Sequence, residues 1–399
     1  MTSTRDARAL RAVYFCYLGA NALVGTYWPW HLDALGWSGV QIGLLFSVRA
    51  ILMTAAQPVL TGWADHRGLA TRTLQVGLLF GVVVSAFLPL AESFVLFAGL
   101  VWLAAPGFAT VIPLLDASVV QRFGTKNYGR SRLWGSLGYG LAALIFGRAV
   151  MGLDYETAGA LAVKAFVVVL ALASVASFAV STPRRAPMSR EERPEVSMTP
   201  ALATFLVVNG LHWAGVMVFN IYFGMLVEHR GWSPALPGVA MAVAIAAEVL
   251  ALGAGARLLA WRPALSWLAP VFVISAIRWL ATAWAPTPGV ILVVQLLHGV
   301  SFGVWFVAMM DGVSRFADDD RRPTLQGWVA AAVLGGGGVI STALGGALMD
   351  VERVPAWLEG PPFAFAAASL LELLAVLGVF AFARSWEAVE SPSGAAEGA

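Results

Sequence analysis

Runs of about 20 mainly apolar residues recur along the chain and restrict its fold more than any other feature. A helix of about 20 residues crosses the ~30 Å hydrocarbon core of a bilayer, and a backbone exposed to lipid must form its hydrogen bonds within its own helix. We therefore predict an all-α membrane protein with twelve transmembrane helices. The predicted spans are 11–35, 40–61, 72–90, 94–117, 128–150, 158–181, 200–227, 235–256, 264–284, 288–312, 326–349 and 362–385.

The composition excludes several classes of function. The chain is 59% hydrophobic and 12% charged, with a mean hydropathy of +0.77, which is atypical of a soluble fold. Its basic residues are scattered, so we expect no nucleic-acid partner. A single cysteine, Cys16, provides neither a disulfide framework nor a cysteine metal cluster. We expect no cleavable signal peptide before the first span, because no short apolar region followed by a small-residue cleavage site is present. Without a catalytic motif in a suitable context, we expect no enzyme activity, no cofactor and no metal.

One polar stretch divides the spans into six and six. We predict a six-helix bundle over 1–181, a cytoplasmic linker over 182–199, a second six-helix bundle over 200–385 and a cytoplasmic tail over 386–399. A faint repeat supports this division: "GWSGVQIG" (36–43) matches "GWSPALPG" (231–238), and Asp116 matches Asp311 at the same offset of 195 residues. Two parallel six-helix repeats are one transporter design, in which substrate binds near the membrane midplane.

The basic residues also predict the orientation. Most of the 25 Lys and Arg residues lie in loops on the same side as the N-terminus, and the side with more of them is normally cytoplasmic. We therefore expect both termini in the cytoplasm of a bacterial-type inner membrane. The expected partners are lipid, protons and a small-molecule substrate, and the expected oligomeric state is a monomer.

Ionisable residues inside the spans are candidate functional residues. Each costs on the order of 2.5–3.5 kcal/mol near the bilayer centre, so it is expected to face a polar cavity and a partner. Glu248, Arg278 and His298 lie on three consecutive spans, and Glu372 lies on the last span. Because an arginine keeps its charge, we expect Arg278 to hold a carboxylate, either that of Glu248 or that of a substrate. His298 beside a carboxylate can move a proton.

Several segments resemble a known family. "PLLDASVVQRFGTKNYGRSRLWGS" (113–136), "AAEVL" (246–250), "IRW" (277–279) and "VVQLLHG" (293–299) resemble, in the same order, segments of the 3-phenylpropionate permease-like group of the major facilitator superfamily, which is related to lactose permease. The resemblance covers nearly the whole chain. "GWADHRGLATR" (62–72) resembles the superfamily signature loop, with Asp65, Gly68 and Arg72 in place and Thr61 where a glycine is usual.

The resemblance implies a set of site residues. Asp116 and Arg132 correspond to a sugar-binding pair, Tyr139 replaces a stacking tryptophan, and the Glu, Arg and His of the family match Glu248, Arg278 and His298. The implied substrate-binding residues are Asn21, Arg49, Asp116, Arg132, Trp134, Tyr139, His212, Arg278 and Gln295, and the implied proton-coupling residues are Glu248, Arg278 and His298.

Three further positions, besides Tyr139, depart from the lactose permease pattern. Ser301 stands where that family has its proton-carrying carboxylate, Gln295 replaces a lysine, and Asn220 replaces the aspartate that would pair with that lysine. The partners are thus neutralised together, as the cost of burying a charge requires. Glu248 with His298 becomes the substitute candidate for moving the proton.

These observations predict a secondary active transporter that alternates access and takes up a small organic solute with protons. The excess of positive charge among the membrane residues favours a carboxylate such as an aromatic acid. A sugar or nucleoside symporter and a proton-coupled exporter of drugs or metabolites remain alternatives. A receptor or scaffold would need a soluble domain or a long tail, and the sequence contains neither.

Overall fold

The computed structural model describes residues 4–124, 128–180, 196–318 and 321–390. These residues form helices joined by short turns, and no strand occurs among them. The α-helices are α1 Thr4–Ala34, α2 Gly39–Arg67, α3 Ala70–Ser85, α4 Phe94–Ala109, α5 Val111–Phe123, α6 Tyr128–Ala149, α7 Tyr155–Ser177, α8 Pro200–His229, α9 Leu236–Gly253, α10 Gly255–Trp261, α11 Leu268–Ala283, α12 Pro288–Gln295, α13 Trp305–Phe316, α14 Arg322–Ala330, α15 Gly338–Met349 and α16 Pro361–Glu390.

Four shorter helical segments complete the description. Two are 3₁₀-helices, Leu88–Leu90 and Ala264–Trp267. The other two are π-helices, Gly299–Val304 between α12 and α13 and Ala331–Gly337 between α14 and α15. Single π turns inside longer helices often mark functional sites.

Ten helices of the described chain are long and apolar enough to cross a membrane. They are Gly39–Arg67, Ala70–Leu90, Phe94–Phe123, Tyr155–Ser177, Pro200–His229, Leu236–Gly253, Ala264–Ala283, Pro288–Phe316, Thr324–Met349 and Pro361–Ala383. The predicted all-α integral membrane class is confirmed. Helices also occupy the predicted first and fifth spans, at α1 and α6, but they are rich in aromatic, glycine and arginine residues and are not among the ten.

The chain divides into two compact units. The first contains Met1–Ser189 and Asn220–Ala242, and the second contains Arg190–Phe219 and Val243–Ala399. The N-terminal part of α8 therefore belongs to the second unit and its last turns belong to the first. Most of the predicted linker, at 182–195, and the end of the predicted tail, at 391–399, lie outside the described residues.

Close backbone contacts organise the first unit. α1 packs along both α6 and α7, and glycines allow the approach. A Cβ atom on Gly138 would collide with the backbone of Phe15, and one on Gly159 would collide with the backbone of His31. Small residues at helix interfaces allow such close packing in membrane proteins, where lipid removes most of the hydrophobic drive for association.

The second unit has a large aromatic core. Phe205, Phe272 and Trp305 are almost fully buried in one hydrophobic cluster, and α11 packs along α16. The π-helix that ends at Gly337 lies against α8, where a Cβ atom would collide with the carbonyl oxygen of Gly210. The core and this close approach hold α8, α11 and α16 around the polar residues described below.

Candidate functional site

A group of fully buried polar side chains lies inside the second unit. We call it the buried cluster, and each of its members is 0% exposed. Its members are His212 on α8, Arg278 on α11, Gln295 on α12, Ser301 on the first π-helix and Glu372 on α16. Five elements, from α8 to α16, therefore bring polar groups together inside an apolar unit.

Arg278 has neutral hydrogen-bond partners. One terminal nitrogen donates to Ser301 Oγ at 2.8 Å and the other donates to Gln295 Oε1 at 2.6 Å. Its Cζ atom lies 4.4 Å from the centre of the Trp279 ring and 5.0 Å from that of Phe219, within cation–π range. Nε has no hydrogen-bond partner.

The described residues place no carboxylate oxygen within 4.0 Å of the Arg278 nitrogens. The structure thus does not form the predicted contact between Arg278 and Glu248. The reason is visible on α12 and the π-helix, whose Gln295 and Ser301 oxygens occupy both terminal nitrogens of the guanidinium.

His212 and Glu372 contact each other within the buried cluster. His212 Nδ1 lies 2.9 Å from Glu372 Oε2, and the other carboxylate oxygen accepts a hydrogen bond from Trp279 Nε1 at 3.0 Å. His212 Nε2 lies 2.8 Å from the backbone oxygen of Ser301. Two short chains of contacts, through Trp279 and through Ser301, therefore join Arg278 to Glu372.

The π-helix explains how Ser301 takes part in both contacts. The N–H of Trp305, which would bond to the Ser301 carbonyl in an α-helix, instead bonds to the carbonyls of Val300 and Phe302. This leaves the Ser301 carbonyl accessible to His212. The Ser301 hydroxyl meanwhile accepts from Arg278, so one residue contacts both ionisable groups.

Glu248 and His298 form a second, less enclosed pair. His298 Nε2 lies 3.4 Å from Glu248 Oε2, and the two residues are 7% and 4% exposed. The His298 ring stacks on Phe302 at 5.2 Å, and its Nδ1 has no hydrogen-bond partner. The two residues that sequence paired for proton transfer are neighbours in the structure.

The first unit holds the predicted residues Asp116, Arg132 and Tyr139. The Asp116 carboxylate accepts a short hydrogen bond from the Tyr14 hydroxyl, and the Arg132 guanidinium lies 5.7 Å from the centre of the Tyr14 ring. The Tyr139 hydroxyl donates to Asn220 Oδ1 at 3.3 Å. Tyr14 thus connects the two residues that resemble a sugar-binding pair.

The other predicted binding residues of the first unit lie on α1, α2 and α6. Arg49, which is half-buried, donates to Asn21 Oδ1 at 3.3 Å, and Asn21 Nδ2 donates to the Tyr17 carbonyl at 2.9 Å. Trp134 is 40% exposed.

The predicted signature loop follows from the end of α2. Gly68 has φ +64°, a left-handed conformation that favours glycine, and its N–H bonds to the Asp65 carbonyl at 3.1 Å. The turn allows α3 to start at Ala70, with Arg72 exposed in its first turn. Glycine is needed at this position for a conformational reason.

No group of three or more His, Cys, Asp or Glu residues within the described ranges is arranged to hold a metal ion. The buried cluster and the neighbouring Glu248–His298 pair offer buried hydrogen bonds, the Arg278 cation and two histidine–carboxylate pairs.

Sequence reasoning did not include Tyr14, Trp279, Ser301 and Glu372 among the site residues. Glu372 gave a signal, because a carboxylate in an apolar span is unusual, but its direction on α16 depends on packing. Trp279 and Tyr14 look like ordinary aromatic residues of a span. Ser301 looked like the loss of a functional carboxylate rather than a hydrogen-bonding residue.

Comparisons with known proteins agree on the family of this chain. Residues 7–358 match the family described as MFS_1 like. The maltose permease of Geobacillus stearothermophilus is 30% identical over 330 residues, covering 80% of this chain and 81% of that protein. The probable 3-phenylpropionic acid transporter of Escherichia coli (strain K12) is 24% identical over 362 residues, covering 86% and 91%.

Solved structures share the fold at low sequence identity. The nucleoside transporter NupG has a TM-score of 0.77 at 12% identity, covering 95% of this chain and 99% of that chain. A bacterial homolog of the human lysosomal transporter Spinster has a TM-score of 0.78 at 15% identity, covering 98% and 100%. Both similarities concern the fold alone.

Proposed function

Because the chain belongs to the MFS_1 like family of major facilitator superfamily transporters, which are not enzymes, we propose that it takes up a small organic solute together with protons. It acts as a monomer of twelve transmembrane helices in two six-helix bundles, and it works by alternating access. It lies in a bacterial-type inner membrane with both termini in the cytoplasm. The positive-inside distribution of Lys and Arg supports this orientation.

The environment of Arg278 is the observation that carries this proposal. Its side chain is completely buried, its two terminal nitrogens bond to neutral oxygens, and its Nε has no partner. A buried guanidinium keeps its charge and needs an anion nearby. A solute carboxylate that reaches this group supplies that anion and gains charge-assisted hydrogen bonds.

Other unpaired groups near Arg278 favour a solute that accepts hydrogen bonds. Gln295 Nε2, which is a donor, and His298 Nδ1, which is a donor when it carries the ring hydrogen, are buried and lack partners. A buried donor without a partner costs about 1–3 kcal/mol. Trp279 and Phe219 add aromatic surface beside the guanidinium. Together they favour an aromatic carboxylate, and one relative is named as a probable 3-phenylpropionic acid transporter.

A neutral sugar or nucleoside is the second candidate. Asp116, held by Tyr14 next to Arg132, presents a carboxylate to which hydroxyl groups can donate, and one relative is named maltose permease. The neutral partners of Arg278 do not favour this candidate, because an uncharged solute gives the guanidinium no anionic hydrogen-bond partner. Proton-coupled export of a drug or metabolite uses the same residues in the reverse direction.

Histidine–carboxylate pairs in the second unit supply the proton chemistry. Glu248 and His298, 3.4 Å apart, form the pair predicted from sequence, and Arg278, on α11, lies between them along the chain. Histidine is the side chain best suited to bind and release a proton near neutral pH.

Uptake into proteoliposomes tests the proposed function. The probes are labelled 3-phenylpropionate and maltose, each measured with an inward proton gradient, with an outward gradient and with none. We expect 3-phenylpropionate to accumulate only with the inward gradient. Uptake of maltose alone supports the second candidate, accumulation under the outward gradient supports export chemistry, and indifference to the gradient in both directions contradicts proton coupling.

A further inference from the structure

The hydrogen bonds of His212 determine how many protons it shares with Glu372. His212 Nε2 faces a backbone carbonyl oxygen at 2.8 Å, and a carbonyl only accepts, so Nε2 must carry a hydrogen. Nδ1 faces the Glu372 carboxyl group at 2.9 Å. That contact is a hydrogen bond only if a proton lies on Nδ1 or on Oε2, because two lone pairs would otherwise face each other.

We propose that His212 and Glu372 together form the proton-binding site that couples solute to proton. The site holds one proton when solute is bound and none when it is empty, and the Glu372 charge then compensates Arg278. This inference rests on the proposed uptake with protons and names the residues that carry the proton.

Charge balance gives the reason for the coupling. With the pair protonated, Glu372 and His212 are together neutral, so Arg278 needs the negative charge of a bound carboxylate. When the solute leaves, release of the proton makes the pair negative, and this negative charge offsets the positive charge of Arg278. The Trp279 side chain contacts both Arg278 and Glu372. One proton and one negative charge therefore enter and leave together, and no net charge remains in the buried cluster.

The surroundings of Glu372 are suited to this exchange. α8 presents His212 and α11 presents Arg278, while α15, which also packs on α16, has no ionisable residue. α13 carries Asp311 and Arg315, which bond to each other at 2.8 Å. The Glu248–His298 pair lies on α9 and at the end of α12.

The two histidine–carboxylate pairs differ in how firmly they are held. In the His212–Glu372 pair both ring nitrogens and both carboxylate oxygens have partners at 2.8–3.0 Å. In the other pair the contact is 3.4 Å and His298 Nδ1 is unpaired, so its geometry requires no shared proton. The proton count follows from hydrogen-bond geometry only for the His212–Glu372 pair.

The variant Glu372→Gln imitates the protonated pair. Its amide NH₂ can donate to His212 Nδ1, and its oxygen can still accept from Trp279, so the hydrogen bonds of the cluster are retained. Glu248→Gln tests the competing assignment of the proton to the other pair. The measurement is the pH dependence of 3-phenylpropionate affinity for purified protein, with proton uptake measured by calorimetry in buffers of different ionisation enthalpy.

We expect the affinity of the wild-type protein to fall about tenfold per pH unit above the midpoint, as one linked proton requires. E372Q should bind with little pH dependence and take up no proton, while E248Q, which lacks the carboxylate of the competing pair, should still take up one proton on binding. Maltose, if it binds, should take up no proton in any variant. A proton uptake that is kept in E372Q and lost in E248Q overturns the assignment.

Two further measurements separate this inference from the proposed function. The infrared difference between ligand-free wild type and E372Q follows the Glu372 carboxyl group through the histidine range, roughly pH 5–8. Titration of that group without proton uptake on binding means that the pair binds protons but transport is uncoupled, which contradicts the proposed function. If neither the Glu372 carboxyl group nor the His212 imidazole, whose own infrared bands report its protonation, titrates in this range, the inference alone is overturned. If E372Q does not fold, His212→Gln is used, and an unchanged pH midpoint then overturns the proposal.

Discussion

The two units place arginines inside the membrane in different ways. In the first unit Arg49 and Arg132 are half-buried and contact Asn21 and the Tyr14 ring on regular α-helices. In the second unit Arg278 is completely enclosed, and a π-helix supplies one of its partners. Partial exposure lets water stabilise a charge, whereas full enclosure needs partners in fixed positions. The regular helix α12 provides Gln295, and the π-helix provides Ser301.

Replacing Arg278 should have the largest effect. Removing one partner of a buried charged interaction costs about 2–5 kcal/mol, so Arg278→Gln should lower the affinity for 3-phenylpropionate by on the order of 100-fold or more. Arg278→Lys should lose nearly as much, because an ammonium cannot reach Gln295 and Ser301 with the same planar geometry. Binding to purified protein measures both variants.

Arg315→Gln is the control, since Arg315 forms an exposed helical pair with Asp311. Such a pair contributes only about 0.3–0.5 kcal/mol. Normal accumulation of 3-phenylpropionate by R278Q would remove this arginine from the mechanism and with it the contrast between the units.

Alanine substitutions at two glycines test which unit tolerates a new Cβ atom less, as measured by the loss of stability. Gly138→Ala places a Cβ atom against three backbone atoms of Phe15, all closer than 3.0 Å. Gly337→Ala meets one such atom, the backbone oxygen of Gly210, while the Cβ of Trp213 and the backbone nitrogen of Ala214 lie 3.2 and 3.3 Å away. We expect a loss of about 1–3 kcal/mol in each case, as in overpacked cores, with the larger loss for G138A. Thermal unfolding in detergent measures the difference.

The matched controls are Gly129→Ala, which has open space, and Gly336→Ala, whose nearest neighbour is 3.9 Å away. A larger loss for G337A than for G138A would show that the π-helix is the stiffer of the two contacts.

Trp279→Phe should separate stability from proton binding. The change keeps an aromatic ring near Arg278 but removes the hydrogen bond to Glu372, at a cost of about 1–3 kcal/mol for the buried acceptor. Trp30→Phe in the first unit removes a similar bond to the Gly224 carbonyl. We expect both variants to lose stability, and only W279F to move the pH midpoint of 3-phenylpropionate binding. Equal midpoints in the two variants would contradict the role given to Trp279.

Arg49→Gln should have the smallest effect. Its one hydrogen bond, to Asn21 at 3.3 Å, is worth about 0.5–1.5 kcal/mol, so uptake should fall by roughly twofold to tenfold. Initial uptake rates in proteoliposomes measure it beside Asn21→Ala, which removes the same bond from the other side. A loss as large as that of R278Q would show that both units depend equally on an arginine.

The sequence predicts the helices and the ionisable residues well because both leave strong local signals. The apolar run at 158–181 corresponds to a helix at Tyr155–Ser177, and Arg278, Glu248 and His298 stand out inside spans. The run at 288–312 gives no sign of the π-helix at Gly299–Val304, because hydrophobicity alone does not distinguish one helical hydrogen-bond register from another.

The partners of the ionisable residues could not be predicted for the same reason. Ser301 reaches Arg278 and His212 only because the π-helix changes the register there. Glu372 reaches His212 across 160 residues of sequence through the packing of α16. Contacts of this kind depend on tertiary packing. The sequence around these positions has no periodic signal from which the contacts could be predicted.

Ser301 makes one contact with its side chain and another with its backbone. Its hydroxyl accepts a hydrogen bond from Arg278 and is lost in every substitution except threonine. Its backbone carbonyl contacts His212 and is present in all twenty amino acids. Substitution at this position therefore alters the contact with Arg278 and keeps the backbone contact with His212. Only a movement of the main chain breaks both contacts at once, so a shift of the π-helix Gly299–Val304 would release Arg278 and His212 together.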